Sequence, residues 1–199
     1  MPFHGFWFVA GGGVTRKESH SWSVISQRYA YDFHIPLALH SAGSGLSLDS
    51  FPCFGEPILC PADGIVVEMR DSISDFSYPR TGWFDWSAKD IRGNYIVIRH
   101  NRFCYGVLAH LKYGTVRVRV GESVRRGKVV ALCGNSGRST EPHLHFHVQD
   151  TPSFCTAAGI PINFAAYAES HSGRTRINKN EPLCSGRWVA TYLDGQGEE

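Results

Sequence analysis

Three histidines spaced two residues apart, His143, His145 and His147, are the residues best placed by type and spacing to do chemistry. The residues that alternate with them are apolar: Leu144, Phe146 and Val148. This period of two predicts a β-strand with one polar and one apolar face. Residues on the same face lie roughly 6.6–7 Å apart, so the three imidazoles line one surface. Because imidazole is the commonest metal ligand and a proton carrier near neutral pH, the strand predicts a metal or proton-transfer site.

The rest of such a site has to come from other parts of the chain. Residues 29–35 also alternate, which places Asp32 and His34 on one face and Tyr31 and Phe33 on the other. A catalytic zinc ion takes three protein ligands and leaves a position open for water. The sequence contains no H-E-x-x-H, which excludes the usual helix-borne zinc protease and leaves a strand-borne site. The candidates are His20, Asp32, His34, His110, His143, His145 and His147.

Composition predicts a mainly β protein, an antiparallel sheet or sandwich with loop insertions and little helix. The 199 residues include 21 Gly and 10 Pro, and turn residues interrupt short apolar runs. We expect an N-terminal arm at 1–19, an edge strand or arm whose aromatics pack on the body. A catalytic body at 20–168 would carry a loop insertion at 71–92, and a loosely attached tail would follow at 169–199. The aromatic residues of the insertion are candidates either for a groove wall or for simple packing.

Two strands in the middle of the chain carry another candidate. Residues 93–99 and 103–111 predict neighbouring strands joined by a turn. On the second strand, Leu108 and His110 share one parity, opposite Val107 and Ala109.

Charge and cysteine content set limits on partners. A net charge of +2 does not demand a nucleic acid, and no apolar run of 18 residues predicts a membrane span. The six cysteines form no C-x-x-C pair, so a thiolate zinc site is not expected. Cys155 and Cys184 could bridge the tail, or all six could be small buried side chains.

Five motifs in register resemble the lysostaphin/LytM-type zinc metallopeptidases. G-N-S-G-R-S-T-E-P-H-L-H-F at 134–146 is similar to the signature G-N-S-G-x-S-x-x-P-H-L-H-F of that family. The other four segments occur in the family's order, at 57–66, 93–98, 105–111 and 121–127. The resemblance covers roughly residues 20–167. It implies the duplicated-hybrid-motif fold, with the site in a groove on a small antiparallel β-sheet body.

The resemblance also implies roles for individual residues. One zinc ion would be held by His20, Asp32 and His145. His110 and His143 would orient or deprotonate the attacking water and stabilise the oxyanion. The family spacing H-x-x-x-D would place the first ligand at position 28, which is Arg28 here. His20, further upstream, is therefore the expected ligand, with His34 as its competitor, while His147 is interpreted as a supporting or groove residue.

The function implied is hydrolysis of bacterial cell-wall (peptidoglycan) peptides, at cross-links or stems, by metal-activated water. The protein would be a monomer acting in the periplasm or after secretion, although residues 1–13 do not form a convincing signal peptide. One alternative is a catalytically silent relative that serves as a binding or regulatory module. Two others are an iron oxygenase built on Asp32, His34 and His145, and a metal-free phosphocarrier with two facing histidines.

Overall fold

The computed structural model describes residues 1–37, 47–77 and 83–192, which fold around antiparallel strands. Helix is limited in these residues to two short 3₁₀ segments, Ile25–Gln27 and Leu48–Ser50. The strands are β1 (Phe6–Gly11), β2 (Tyr31–His34), β3 (Pro57–Leu59), β4 (Gly64–Arg70), β5 (Asn94–Asn101), β6 (Cys104–Leu111), β7 (Ser123–Val124), β8 (Val129–Leu132), β9 (Leu144–Gln149), β10 (Phe164–His171), β11 (Arg174–Glu181) and β12 (Trp188–Thr191).

Ten of these strands form one sheet in the order β11-β10-β12-β1-β2-β9-β6-β5-β4-β7, while β3 and β8 pair separately. Every pairing is antiparallel. The predicted fold class, an antiparallel β body with little helix, is confirmed. None of the described helical segments is long and apolar enough to cross a membrane.

The main core lies between one face of the large sheet and the β3–β8 pair. The alternation in β9 is realised, since its apolar residues join this core while its histidines face the other way. Ile58 and Val130 from the small sheet pack into the same cluster. Burying each of these side chains contributes about 1.5–3 kcal/mol, which holds β9 in its register. The opposite face of the large sheet carries a smaller cluster, Tyr95, Val97, Val107 and Ala109.

Both ends of the described chain belong to the sheet, which corrects two expectations. β1 is an inner strand between β12 and β2, rather than an edge strand or an arm. The prediction of a loosely attached tail is wrong for residues 169–192, because they complete β10 and form β11 and β12. The polar composition of this segment reflects the edge position of β11, whereas Leu183 and Val189 are fully buried. Residues 193–199 lie outside the described residues.

The predicted insertion at 71–92 connects β4 to β5, and residues 78–82 of it lie outside the described residues. In its described part, Trp83 and Trp86 are largely exposed, and the Phe84 and Trp86 rings lie 4.3 Å apart. All six cysteines are free, and Cys155 and Cys184 are both exposed.

Candidate metal centre and catalytic groove

Asp32 and His145 lie directly opposite each other on the neighbouring strands β2 and β9. His145 Nδ1 lies 2.9 Å from Asp32 Oδ1. His20, from the loop before β2, places Nε2 3.2 Å from Asp32 Oδ2. One ligand atom from each of these residues lies within 4.8 Å of the other two. The structure therefore brings together the three residues expected to hold a metal, on the face opposite the main core.

The segment before β2 folds back so that His20 reaches Asp32. Arg28 anchors this fold: its Nε donates to the carbonyl of Trp22 (3.1 Å), and its guanidinium lies 5.1 Å from the centre of the Trp22 ring. Ser19 Oγ donates to the carbonyl of Arg28 (2.7 Å). His20 packs against Gly11, where a Cβ atom would come within 2.7 Å of Nδ1. Arg28, where the resemblance would place the first metal ligand, thus holds the loop that carries His20.

His110 enters the site through a β-bulge in β6. Its neighbours pair regularly with β5, Ala109 with Tyr95 and Leu111 with Asn94, but His110 has no partner in that ladder. Its φ of 59° is left-handed, which is rare for a residue other than glycine and is concentrated at functional sites. Strict alternation would have placed His110 in the main core with Leu108. The bulge turns it to the face of Ala109, which pairs with His145.

Backbone carbonyls determine how the rings of His110 and His143 present their nitrogens. Because a carbonyl oxygen only accepts, His110 Nδ1–H must donate to Ser136 O (2.8 Å), and His143 Nδ1–H must donate to Glu141 O (2.8 Å). In both neutral rings Nε2 then carries the lone pair. The two rings are 4.6 Å apart, and His143 Nε2 lies 3.8 Å from Asp32 Oδ1.

The turn that supplies the Ser136 carbonyl is itself packed closely. Ser136 Oγ donates to Leu111 O (2.7 Å) and accepts from the backbone N–H of Asn94 (2.9 Å). Gly93 and Gly137 both have positive φ and lie in backbone contact, and a Cβ on Gly93 would collide with the backbone of Ser136. The glycines of these two motifs therefore allow the turn to approach β5 and to hold His110.

Asp32 is the negatively charged residue of this cluster. Burial alone would raise the pKa of Asp32, but His143, His145 and His20 outweigh it and hold that pKa well below its usual range. Burial, reinforced by His143 and His145, lowers the pKa of His110 to about 3. Burial also lowers the pKa of His20, against the opposing effect of Asp32. Asp32 is therefore ionised at neutral pH, the form in which a carboxylate binds a metal ion, and the imidazole of His110 is neutral.

The donor set fits zinc. Two imidazole nitrogens and one carboxylate oxygen are a usual three-residue set for a catalytic zinc ion. His145 Nδ1 and His20 Nε2 lie 2.9 and 3.2 Å from the two different oxygens of Asp32, and one ligand atom from each residue lies within 4.8 Å of the other two. His34 is outside this group, with its Nδ1 3.5 Å from Glu141 Oε1. His147 is fully buried beside His145, and its Nδ1 lies 3.1 Å from His145 Nε2.

A groove of about 340 Å³ opens above the cluster. All five predicted site residues line it, together with Gln27, Ile91, Arg138, Ser21 and Thr140. Ile91 comes from the 71–92 segment, whereas Trp83, Phe84 and Trp86 do not line this groove. Arg138 lines the groove and also lies beside the 71–92 segment, since its guanidinium is 5.9 Å from the centre of the Phe84 ring.

Sequence reasoning missed the groups that orient the histidines. The carbonyls of Ser136 and Glu141 could not be identified from residue types, because any residue supplies a carbonyl. Gln149 was also missed, although its parity gave a signal: it shares the polar face of β9 with the three histidines. Its Oε1 lies 2.9 Å from His147 Nε2.

Comparison with known proteins gives a consistent result. The model described as Peptidase family M23 matches residues 45–156, more than half of the chain. The peptidoglycan DD-endopeptidase ShyB of Vibrio cholerae is 34% identical over 110 residues, which are 54% of this chain and 21% of that protein. The glycyl-glycine endopeptidase ALE-1 of Staphylococcus capitis is 25% identical over 177 residues, 88% of this chain and 44% of that protein. The chain thus spans less than half of the length of either relative.

Among solved structures, a deep-sea M23 metalloprotease, pseudoalterin, has a similar fold. Its TM-score is 0.50 at 13% identity, and the match covers 92% of this chain and 95% of that one. Of the candidate site residues, His110, His143 and His145 lie within the family match at 45–156, whereas His20 and Asp32 precede it.

Proposed function

The chain belongs to peptidase family M23, and on that premise we propose that it is a zinc-dependent endopeptidase acting on peptide bonds of bacterial cell-wall peptides. The relatives named as peptidoglycan and glycyl-glycine endopeptidases support this substrate class. Since peptidoglycan lies outside the cytoplasmic membrane, the protein would act there. The observation that carries the proposal is the cluster of His20, Asp32 and His145 beneath a groove that also exposes two oriented imidazoles.

His20, Asp32 and His145 would hold one zinc ion. When bound, zinc supplies a Lewis acid that lowers the pKa of a water molecule and polarises a carbonyl oxygen. The low pKa of Asp32 keeps its carboxylate ionised at neutral pH. The open side of the cluster faces the groove, so a peptide lying there would bring its carbonyl to the metal.

His110 and His143 would perform the proton chemistry. Each donates Nδ1–H to a fixed carbonyl, so each Nε2 is available to accept a proton from the attacking water or to hold it in place. We assign the proton transfer to His143, because its side chain is 15% exposed and borders the groove. His110 is more deeply buried, and its pKa near 3 keeps it neutral, so it orients the water. Once protonated, His143 would donate to the developing oxyanion or to the leaving amine.

Zinc analysis of two matched variants tests the assignment. His20→Ala should lose most bound zinc, whereas His34→Ala, which removes a histidine two residues from Asp32, should keep one zinc per chain. Cleavage of glycine-rich and D-amino-acid peptides, followed by mass spectrometry, should be present in His34→Ala and absent in His20→Ala. Full zinc occupancy in His20→Ala would overturn the ligand assignment. Zinc-loaded wild-type protein that cleaves no such peptide would overturn the proposed activity and favour a binding module.

A further inference from the structure

His147 and Gln149 complete the polar face of β9, and the proposed reaction uses neither of them. Both are fully buried. The side chains of the face form a continuous chain of contacts: His145 Nε2 lies 3.1 Å from His147 Nδ1, and His147 Nε2 lies 2.9 Å from Gln149 Oε1. The chain ends at the backbone, because Gln149 Nε2 lies 2.8 Å from Thr151 O and 3.1 Å from Pro152 O.

The two backbone carbonyls at one end of this series of side-chain contacts fix the direction of every hydrogen bond in the series. Both carbonyl oxygens can only accept, so the amide group of Gln149 must turn its NH₂ towards them. The reverse orientation would bring three oxygen atoms together without a proton. Gln149 Oε1 therefore faces His147 and can only accept, which requires a proton on His147 Nε2.

The same reasoning passes through His147 to His145. A neutral imidazole with a proton on Nε2 carries a lone pair on Nδ1, and that atom faces His145 Nε2. His145 Nε2 must then carry a proton of its own. Its other nitrogen, Nδ1, faces Asp32 Oδ1 and is therefore the one whose lone pair is left to bind a metal ion.

We propose that Gln149 and His147 are positioning residues, which hold a proton on His145 Nε2 and so leave Nδ1 to the metal. This inference rests on the proposed function, because the metal is the zinc ion of the peptidase. The ring of His145 is thus oriented by a side chain, whereas the rings of His110 and His143 are oriented by hydrogen bonds from Nδ1–H to backbone carbonyls. A side-chain support can be removed by substitution, and removal of such partners typically lowers metal affinity 10–100-fold.

The test compares two substitutions of similar size at position 147. In His147→Asn, the side-chain oxygen can stand in for Nδ1 and accept from His145 Nε2–H. In His147→Leu, no acceptor remains. We expect His147→Asn to bind zinc within a few-fold of wild type and His147→Leu to bind 10–100-fold more weakly, measured by competition with a chromogenic chelator. Equal zinc affinity of the two variants would overturn the proposal.

Long-range ¹H–¹⁵N NMR spectra of the imidazole nitrogens provide a readout independent of activity. In the wild-type chain, Nε2 of both His145 and His147 should carry a proton, with and without zinc. In Gln149→Leu, His147 should show a mixture of its two neutral tautomers, while the backbone amide spectrum remains that of a folded protein. A proton on Nδ1 of His147 in the wild-type chain would overturn the proposal. These spectra need neither zinc nor substrate. A wrong assignment of the His145 and His147 protons can therefore be distinguished from a wrong assignment of peptidase activity.

Discussion

The ring of His110 lies 4.6 Å from the ring of His143, although regular alternation along β6 would bury His110 on the other face of the sheet. The bulge that brings the rings together leaves His110 with φ near 59°. Such a conformation costs of order 1–3 kcal/mol and persists only where its surroundings determine it. Here the surroundings are the hydrogen bonds to Ser136 O and from the backbone N–H of His110 to Arg92 O (2.9 Å).

Replacing His110 should separate catalysis from metal binding. His110→Ala removes the group proposed to orient the water but none of the three proposed metal ligands, so kcat should fall by about 10²–10⁴-fold while zinc stays bound. Peptide cleavage rates and zinc content of the same preparation check this. His100→Ala, which removes a histidine bonded to the carbonyl of Asp63 outside the groove, is the matched control and should keep full activity. Zinc loss in His110→Ala would contradict the division of roles.

A methyl group at Gly93 should disturb the site from outside it. Gly93→Ala adds a Cβ that collides with the backbone of Ser136, in addition to the strain of a positive φ. Gly121→Ala is the matched control, because Gly121 also has positive φ but no atom lies within 4 Å of its Cβ position. Backbone strain should lower the free energy of unfolding of each variant by about 1–2 kcal/mol. Gly93→Ala should lose more stability in urea unfolding and also lower kcat, and equal losses would contradict the packing role.

Removing the Arg28 side chain should weaken zinc binding without touching the metal. Arg28→Ala deletes the bond to Trp22 O and the contact with the Trp22 ring, so the loop that carries His20 gains freedom. A loss of about 1.4 kcal/mol would appear as a tenfold weaker zinc affinity. Chelator competition measures it, and Arg102→Ala, on the turn after β5, is a control that should leave affinity unchanged. Unchanged affinity in Arg28→Ala would show that the loop is held by other contacts.

Acid should destabilise the metal-free protein below neutral pH. Burial lowers the pKa of both His110 and His147 to about 3, compared with about 6.5 for an unperturbed histidine. Between these values the unfolded chain binds protons at both positions and the folded chain does not, so the free energy of unfolding falls as pH decreases. Each histidine adds at most about 1.4 kcal/mol per pH unit within that window.

Urea unfolding at pH 7 and pH 5 measures this slope. His147→Asn removes one of the two groups and should reduce the dependence by up to one proton. Stability that is constant or rising from pH 7 to pH 5 would be inconsistent with two buried neutral histidines.

Alternation of polar and apolar residues was sufficient to predict the two faces of β2 and β9, because each strand carries polar residues on one face and core residues on the other. It placed Asp32 and His145 on polar faces, and the pairing of their strands brought them opposite each other. Alternation predicted the wrong face for His110. A bulge shifts the alternation by one residue, and the residue types around His110 do not indicate that a bulge is present. The resemblance to a family pointed to His110 where the pattern could not.

The ends of the chain show a second limit of sequence reasoning. β11 is a polar edge strand, and its composition is also typical of an unstructured tail. Likewise, β3 pairs with the distant strand β8 rather than with β4, its neighbour in sequence. Pairing between strands far apart in sequence depends on how the whole core closes, which local patterns do not report.

The position of β1 between β12 and β2 has a consequence for how the protein folds. Phe6 pairs with Ala190, so the two strands join residues from nearly opposite ends of the chain. Contacts of such long sequence separation form slowly, because closing the loop costs entropy before any contact repays it. During synthesis, β1 must wait for residues 188–191 before its second partner exists. The β1–β12 pairing should therefore form after the β1–β2 pairing, which places Gly11 opposite Asp32.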